Sequence, residues 1–176
     1  MFEFLREIEY LKKRNAEEWY YFGKVDVPLP TWDQIFSELD RIYKFCLDNK
    51  LNFIEMNKHF SMGVHGFTEV NFFRDFLNAL ENSHDIRGNQ NFTSQCFLNL
   101  TTVESTYGKH RDEMDVWIWQ VLGSSRWYIE GRKSHFDQIV HPGELIYIPR
   151  GLYHNIESIT PRVSISFASE NFEPVI

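Results

Sequence analysis

Cysteine is scarce, with Cys46 and Cys96 the only two in 176 residues. They stand far apart without paired metal spacing, which excludes a disulfide framework, and both read as reduced, buried thiols. No run approaches the ~20 apolar residues of a membrane span. Met1-Phe2-Glu3-Phe4-Leu5-Arg6-Glu7 puts charge where a secretion signal needs an apolar stretch, so a cytoplasmic protein without membrane attachment is expected. On that expectation Asn91-Phe92-Thr93 and Asn99-Leu100-Thr101 are chance matches to glycosylation acceptors. Positive charge is also short: 18 Lys and Arg against 25 Asp and Glu leave a net charge of -7, which excludes a broad nucleic-acid footprint. The one basic cluster, Lys12-Lys13-Arg14, lies among Glu3, Glu7, Glu9, Glu17 and Glu18 and reads as a solvated helix face. There is no internal repeat and no break in composition, so residues 1–176 are expected to form one domain.

What is present divides the chain into two patterns. The first ~90 residues, with Phe4, Leu5, Ile8 and Leu11 at helical spacing, read as mostly helical. Thr31 is placed as the N-cap of a second helix, with Gln34 in capping-box position and a stripe of Ile35, Phe36, Leu39, Ile42, Tyr43 and Cys46 for core packing. A third helix is expected over residues 70–80. From residue 91 to 170 the pattern turns to short β-rich runs, at 97–102, 116–121, 126–129, 144–148 and 162–167, punctuated by glycines. These runs predict a mainly β jelly roll with the helices of the N-terminal half packed outside.

The chemistry sits in that second part. His110 and Asp112 are two residues apart, so on an extended chain both side chains leave one face and one ion can take both. His154 follows 44 residues after His110, beyond Pro142-Gly143 and a strand, far enough for the chain to return to the other side of a small barrel. Two imidazoles and one carboxylate form the facial triad of non-haem Fe(II) sites, which leaves the opposite coordination face open. Glu113 points to the other face and cannot replace Asp112. Trp117, Trp119 and Trp127 read as core. His135 and His141 flank an expected turn and read as surface, while His59, His65 and His84 lack metal spacing.

The stretch Gly108 to Trp127 resembles the metal-binding segment of JmjC-type, cupin-fold 2-oxoglutarate oxygenases, in particular the ribosomal-oxygenase-like subgroup. The matching elements are His110-x-Asp112, then Asp115-Val116-Trp117-Ile118-Trp119-Gln120, then Gly123-x-x-Arg126-Trp127. Gly143, Pro149, Gly151 and His154 fit the second cupin motif. The resemblance covers about 65 residues and implies a double-stranded β-helix, Fe(II), 2-oxoglutarate as co-substrate, and hydroxylation of an unactivated C–H bond. The retained Asp112 favours hydroxylation over halide transfer, since halide-transferring relatives carry a small residue there. Asp115 and Gln120 recur in the family pattern and read as hydrogen-bonding support near the site. Members of the subgroup carry a further segment after the barrel, so their substrate is not carried over.

One departure matters. The subgroup has Lys or Arg two residues after the glycine of G-x-x-R-W, to hold the far carboxylate of 2-oxoglutarate; here that position is Ser125. Arg126 has the wrong parity to replace it. Arg162-Val163-Ser164 resembles the R-x-S clamp of other 2-oxoglutarate enzymes, and alternation puts Arg162, Ser164, Ser166 and Ala168 on one face. Two placements stand open for Arg162, inside as the clamp or in solvent at the start of its strand. Asn99, Thr101 and Thr102 are further candidate donors to the co-substrate. The leading expectation is thus an Fe(II)/2-oxoglutarate-dependent hydroxylase of a small molecule or of a peptide or protein side chain, using O2. The alternatives are a cupin dioxygenase whose substrate itself chelates the metal, or a ligand-binding cupin without catalysis. The N-terminal half could serve as a homodimer surface or as a lid.

Overall fold

The computed structural model describes residues 17–50, 54–56, 61–65, 92–99 and 108–169. Among these the chain runs β1 (Tyr20–Lys24), α1 (Trp32–Asn49), β2 (Ile54–Met56), β3 (Ser61–His65), β4 (Phe92–Asn99), β5 (Asp115–Leu122), β6 (Ser125–Glu130), β7 (His135–Val140), β8 (Glu144–Ile148), β9 (Tyr153–Ser158) and β10 (Arg162–Ser169). The strands form an antiparallel seven-stranded sheet, ordered β1-β8-β5-β10-β4-β3-β2, and a three-stranded sheet, ordered β7-β6-β9.

The two sheets enclose one apolar core. The large sheet contributes Val116, Ile118, Ile146, Ile148 and Ala168, and the small one Trp127, Ile129, Phe136 and Val140. Register explains the sharing of faces. Ala168 pairs with Val116 and Ser164 with Gln120, while Phe167 pairs with Trp117 and Ile165 with Trp119. The first set faces the small sheet. The second set is buried too, so the large sheet is covered on both sides, which is why β5 reads as a nearly unbroken apolar run. The three tryptophans are core, as expected.

The capping box forms as read: Thr31 N–H donates to Gln34 Oε1 at 2.8 Å, and Gln34 N–H to Thr31 Oγ1 at 3.3 Å. The stripe behind it is narrower than expected. Ile35 is fully buried, but Phe36 and Tyr43 are 46% and 52% exposed. Those two lie about 100° and about 80° round the helix from Ile35, on the flank of the buried line. Phe36 stacks on Trp32 instead. Within the part read as mostly helical, β1, β2 and β3 are strands. The helix expected over the first residues and that over 70–80 lie outside the described residues, as do Thr101 and Thr102, His59 and His84, and the side chains of His65, Ile42, Cys46 and Cys96. β4 begins five residues before the expected run. β7 occupies the expected turn between His135 and His141; as an edge strand with alternate residues in solvent, it lacks the apolar density that marks β5.

Candidate metal centre

His110 and His154 meet across an isolated antiparallel bridge. Each backbone N–H donates to the other's carbonyl, at 3.0 and 2.8 Å. Being directly opposite, the two side chains leave the same face, and their rings lie 4.4 Å apart. Asp112, two residues on, turns its carboxylate to both: Oδ2 is 3.6 Å from His154 Nε2, and Oδ1 is 3.9 Å from His110 Nε2. The three ligand atoms lie within 4.8 Å of one another. The Nε2–Oδ distances exceed hydrogen-bonding range, so the three groups converge without being consumed by one another.

Tautomers follow from the neighbours. His110 Nδ1 is 2.8 Å from the Gly108 carbonyl and His154 Nδ1 is 3.1 Å from that of Leu152. A carbonyl can only accept, so each Nδ1 carries a proton, which leaves Nε2, the nitrogen turned toward Asp112, as the ligating atom of each neutral ring. Burial, reinforced by His110 alongside and opposed by Asp112, lowers the His154 pKa below its ordinary value of 6.5 and keeps the imidazole neutral. A dication could take one lone pair from each Nε2 and one carboxylate oxygen. That donor set fits Fe(II).

The site is open on one side. The side chains of His110 and Asp112 are 33% and 36% exposed, while that of His154 is 3%. Further into the barrel the lining becomes polar and closed. Arg162 is 1% exposed, so it lies inside and not in solvent. Its Nε donates to Ser158 Oγ at 2.9 Å, and its Nη1 donates to Ser164 Oγ. Ser164 Oγ in turn donates to Gln120 Oε1 at 3.0 Å, and Ser125 Oγ donates to the same oxygen at 2.8 Å. Gln120 Nε2 is spent on the carbonyls of Leu122, Gly123 and Val163, which fixes the amide orientation and hence both serine hydroxyls. Trp127 Nε1 donates to Ser125 Oγ at 3.0 Å, and its ring stacks 6.1 Å from that of His154. The end of the barrel is tight: a Cβ at Gly123, whose φ is +63°, would stand 2.0 Å from the Pro161 carbonyl oxygen.

Asn99 pairs in register with Arg162 and so shares its face. It is fully buried, and among the described residues neither amide atom has a hydrogen-bond partner. A buried amide left without a partner costs roughly 1–3 kcal/mol, which a hydrogen-bonding group brought beside it would recover.

The structure therefore brings together His110, Asp112 and His154, and separately Arg162, Ser164 and Asn99. Arg126 is exposed and bound to Asp137 by two hydrogen bonds, of 2.7 and 2.9 Å, in keeping with its parity. Glu113 is exposed. Ser158 escaped the sequence reading; it lies four residues before Arg162, across a turn that only the fold closes. Asp115, buried at the head of β5, accepts from the Arg150 backbone N–H at 2.8 Å, and burial raises its pKa.

No family model and no curated protein sequence matches the chain. Solved structures do match its fold. The Escherichia coli ribosomal oxygenase YcfD aligns with a TM-score of 0.53 at 20% identity, over 63% of this chain and 32% of that one. The same protein in complex with cobalt and succinic acid gives 0.52 at 19%, over 63% and 31%. The chain thus spans about a third of the length of that oxygenase. The likeness establishes the fold, a cupin-type double-stranded β-helix.

Proposed function

We propose that the protein is a metal-dependent cupin-fold oxygenase that uses Fe(II) and 2-oxoglutarate to hydroxylate a small molecule or a peptide or protein side chain. The observation that carries this reading is the convergence of two Nε2 lone pairs and one carboxylate at the open end of the barrel, with both Nδ1 atoms anchored to backbone carbonyls. When bound, Fe(II) with the 2-oxo acid supplies the oxidation of a C–H bond by O2.

The chain's own residues would do the rest. His110, Asp112 and His154 hold the ion on one face and leave the other to co-substrate and O2. Arg162 supplies a buried cation for the far carboxylate, held toward the barrel interior by Ser158 and Ser164. Its position answers the substitution at Ser125. That serine pairs in register with Ser158, the residue bonded to Arg162, so the cation of β10 reaches the region that a basic side chain at 125 would reach. Asn99 adds an amide donor beside it. Ser158 lies four residues along β9 from His154, roughly 13 Å of strand, and the Arg162 side chain reaches from Ser158 to Ser164. This spacing supports a ligand with an acid group at each end. The exposed His110–Asp112 side is the route by which substrate reaches the ion.

A cupin dioxygenase without 2-oxoglutarate is the second reading, favoured by the loss of the basic residue at Ser125. Oxygen uptake by the Fe(II)-loaded protein decides between them. Consumption that requires 2-oxoglutarate supports the first reading, and consumption indifferent to it supports the second.

A further inference from the structure

We propose that Asp115 is a positioning residue for the metal centre, holding Asp112 and His154 at their mutual spacing through the Arg150–Gly151 turn. This rests on the metal reading above and extends it to a residue that touches none of the three ligand atoms.

The segment 110–115 is zipped to the segment 150–154 by successive ties. At one end His110 and His154 exchange two backbone hydrogen bonds. In the middle the Gly151 N–H donates to the Asp112 carbonyl at 2.8 Å. At the other end the Arg150 N–H donates to Asp115 Oδ1, also at 2.8 Å. The adjacent amides of one turn thus bind two residues three apart in the ligand segment. The turn can take this shape because Gly151 adopts φ +80°, a conformation that other residues rarely take. His154 follows three residues later.

The main-chain ties form whatever side chains are present. The Asp115 tie alone depends on a side chain, and it sits where β5 begins and the irregular ligand segment ends. Without it the turn loses its tie at the β5 end of the ligand segment, while the Gly151–Asp112 bond remains. The Asp115 carboxylate is well placed to keep that tie. It is only 4% exposed, and the Tyr147 ring lies close enough to bear on its charge. Tyr147 is itself pinned in β8 opposite Trp117. Partners that orient metal ligands without touching the ion commonly change affinity by about 10–100-fold when removed.

Co(II) alone is the probe, titrated into the apo-protein and followed by its visible absorption, with far-UV circular dichroism and thermal melts of each apo-variant. Wild-type protein should take up Co(II) in a form lost in His154→Ala. Asp115→Ala should bind it about 10–100-fold more weakly with an unchanged far-UV spectrum. Asp115→Asn, which keeps an oxygen for the Arg150 amide, should bind within about threefold of wild type, a loss under about 1 kcal/mol. If Asp115→Ala does not fold, Asp115→Ser, whose oxygen falls short of the amide, should show the same weakening. Wild-type affinity in the folded Ala or Ser variant overturns the positioning role and leaves the metal reading intact. Equal weakening in the Asn variant also overturns it, because the charge and not the bond would then matter. No Co(II) uptake by wild-type protein overturns both readings.

Discussion

His110 and His154, 44 residues apart in sequence, are joined by two backbone hydrogen bonds of 3.0 and 2.8 Å. Two of the three candidate ligands are therefore set by the main chain, and Asp112 completes the set as a side chain within reach of both rings. Asp112→Ala should abolish stable Fe(II) binding, because two imidazoles alone remain, while the β-sheet signal in circular dichroism persists. Wild-type iron content in that variant would remove Asp112 from the site.

The neutral state of His154 gives the apo-protein a pH dependence with a defined sign. Its folded pKa lies below 6.5, chiefly through burial. The folded state thus binds fewer protons here than the unfolded chain. The associated stability is present above 6.5 and is lost as the pH falls through the folded pKa. The apo melting temperature should drop between pH about 7.5 and about 5.5, and His154→Gln should flatten that drop. An equal drop in the variant would assign the dependence to other groups.

Arg162→Ala should raise the 2-oxoglutarate concentration needed for half-maximal turnover by about tenfold or more, the scale of a charge-assisted bond of ~1.5–3 kcal/mol. Metal affinity should hardly change, since Arg162 lies at the level of Ser158 and not of His154. Arg162→Lys should recover part of the loss. An unchanged co-substrate requirement would move the clamp away from β10.

Asn99→Leu separates binding from stability. In the ligand-free protein its amide is buried without a partner among the described residues, so an apolar side chain of similar shape should stabilise the fold by about 1–3 kcal/mol. The same change should weaken 2-oxoglutarate binding. Denaturant unfolding of the two apo-proteins checks the first half, and a destabilised Leu variant would show that the amide has a structural role.

The triad was legible in the sequence because its signal is local. Two ligands spaced by two residues share a face of any extended chain, and a Pro-Gly turn before His154 announces the returning strand. The shared face of Arg162, Ser164 and Ser166 was legible for the same reason, but whether Arg162 turned inward or into solvent at the start of its strand stayed open until the fold buried it. The polar network around it was not. Gln120, Ser125, Ser158 and Ser164 come from four strands, and no local pattern states that their side chains meet. The width of the helical stripe also escaped, because Phe36 and Ile35 are equally apolar and only packing distinguishes the buried line from its flank. β7 was lost to the opposite cause, an edge strand whose exposed face is polar enough to read as a turn.

Anaerobic titration of the Fe(II)-loaded protein with 2-oxoglutarate tests whether the triad holds an iron that chelates a 2-oxo acid. A visible metal-to-ligand charge-transfer band that saturates, and that is absent in His110→Ala, is the predicted result. Iron bound at the triad with no such band at any 2-oxoglutarate concentration would contradict it.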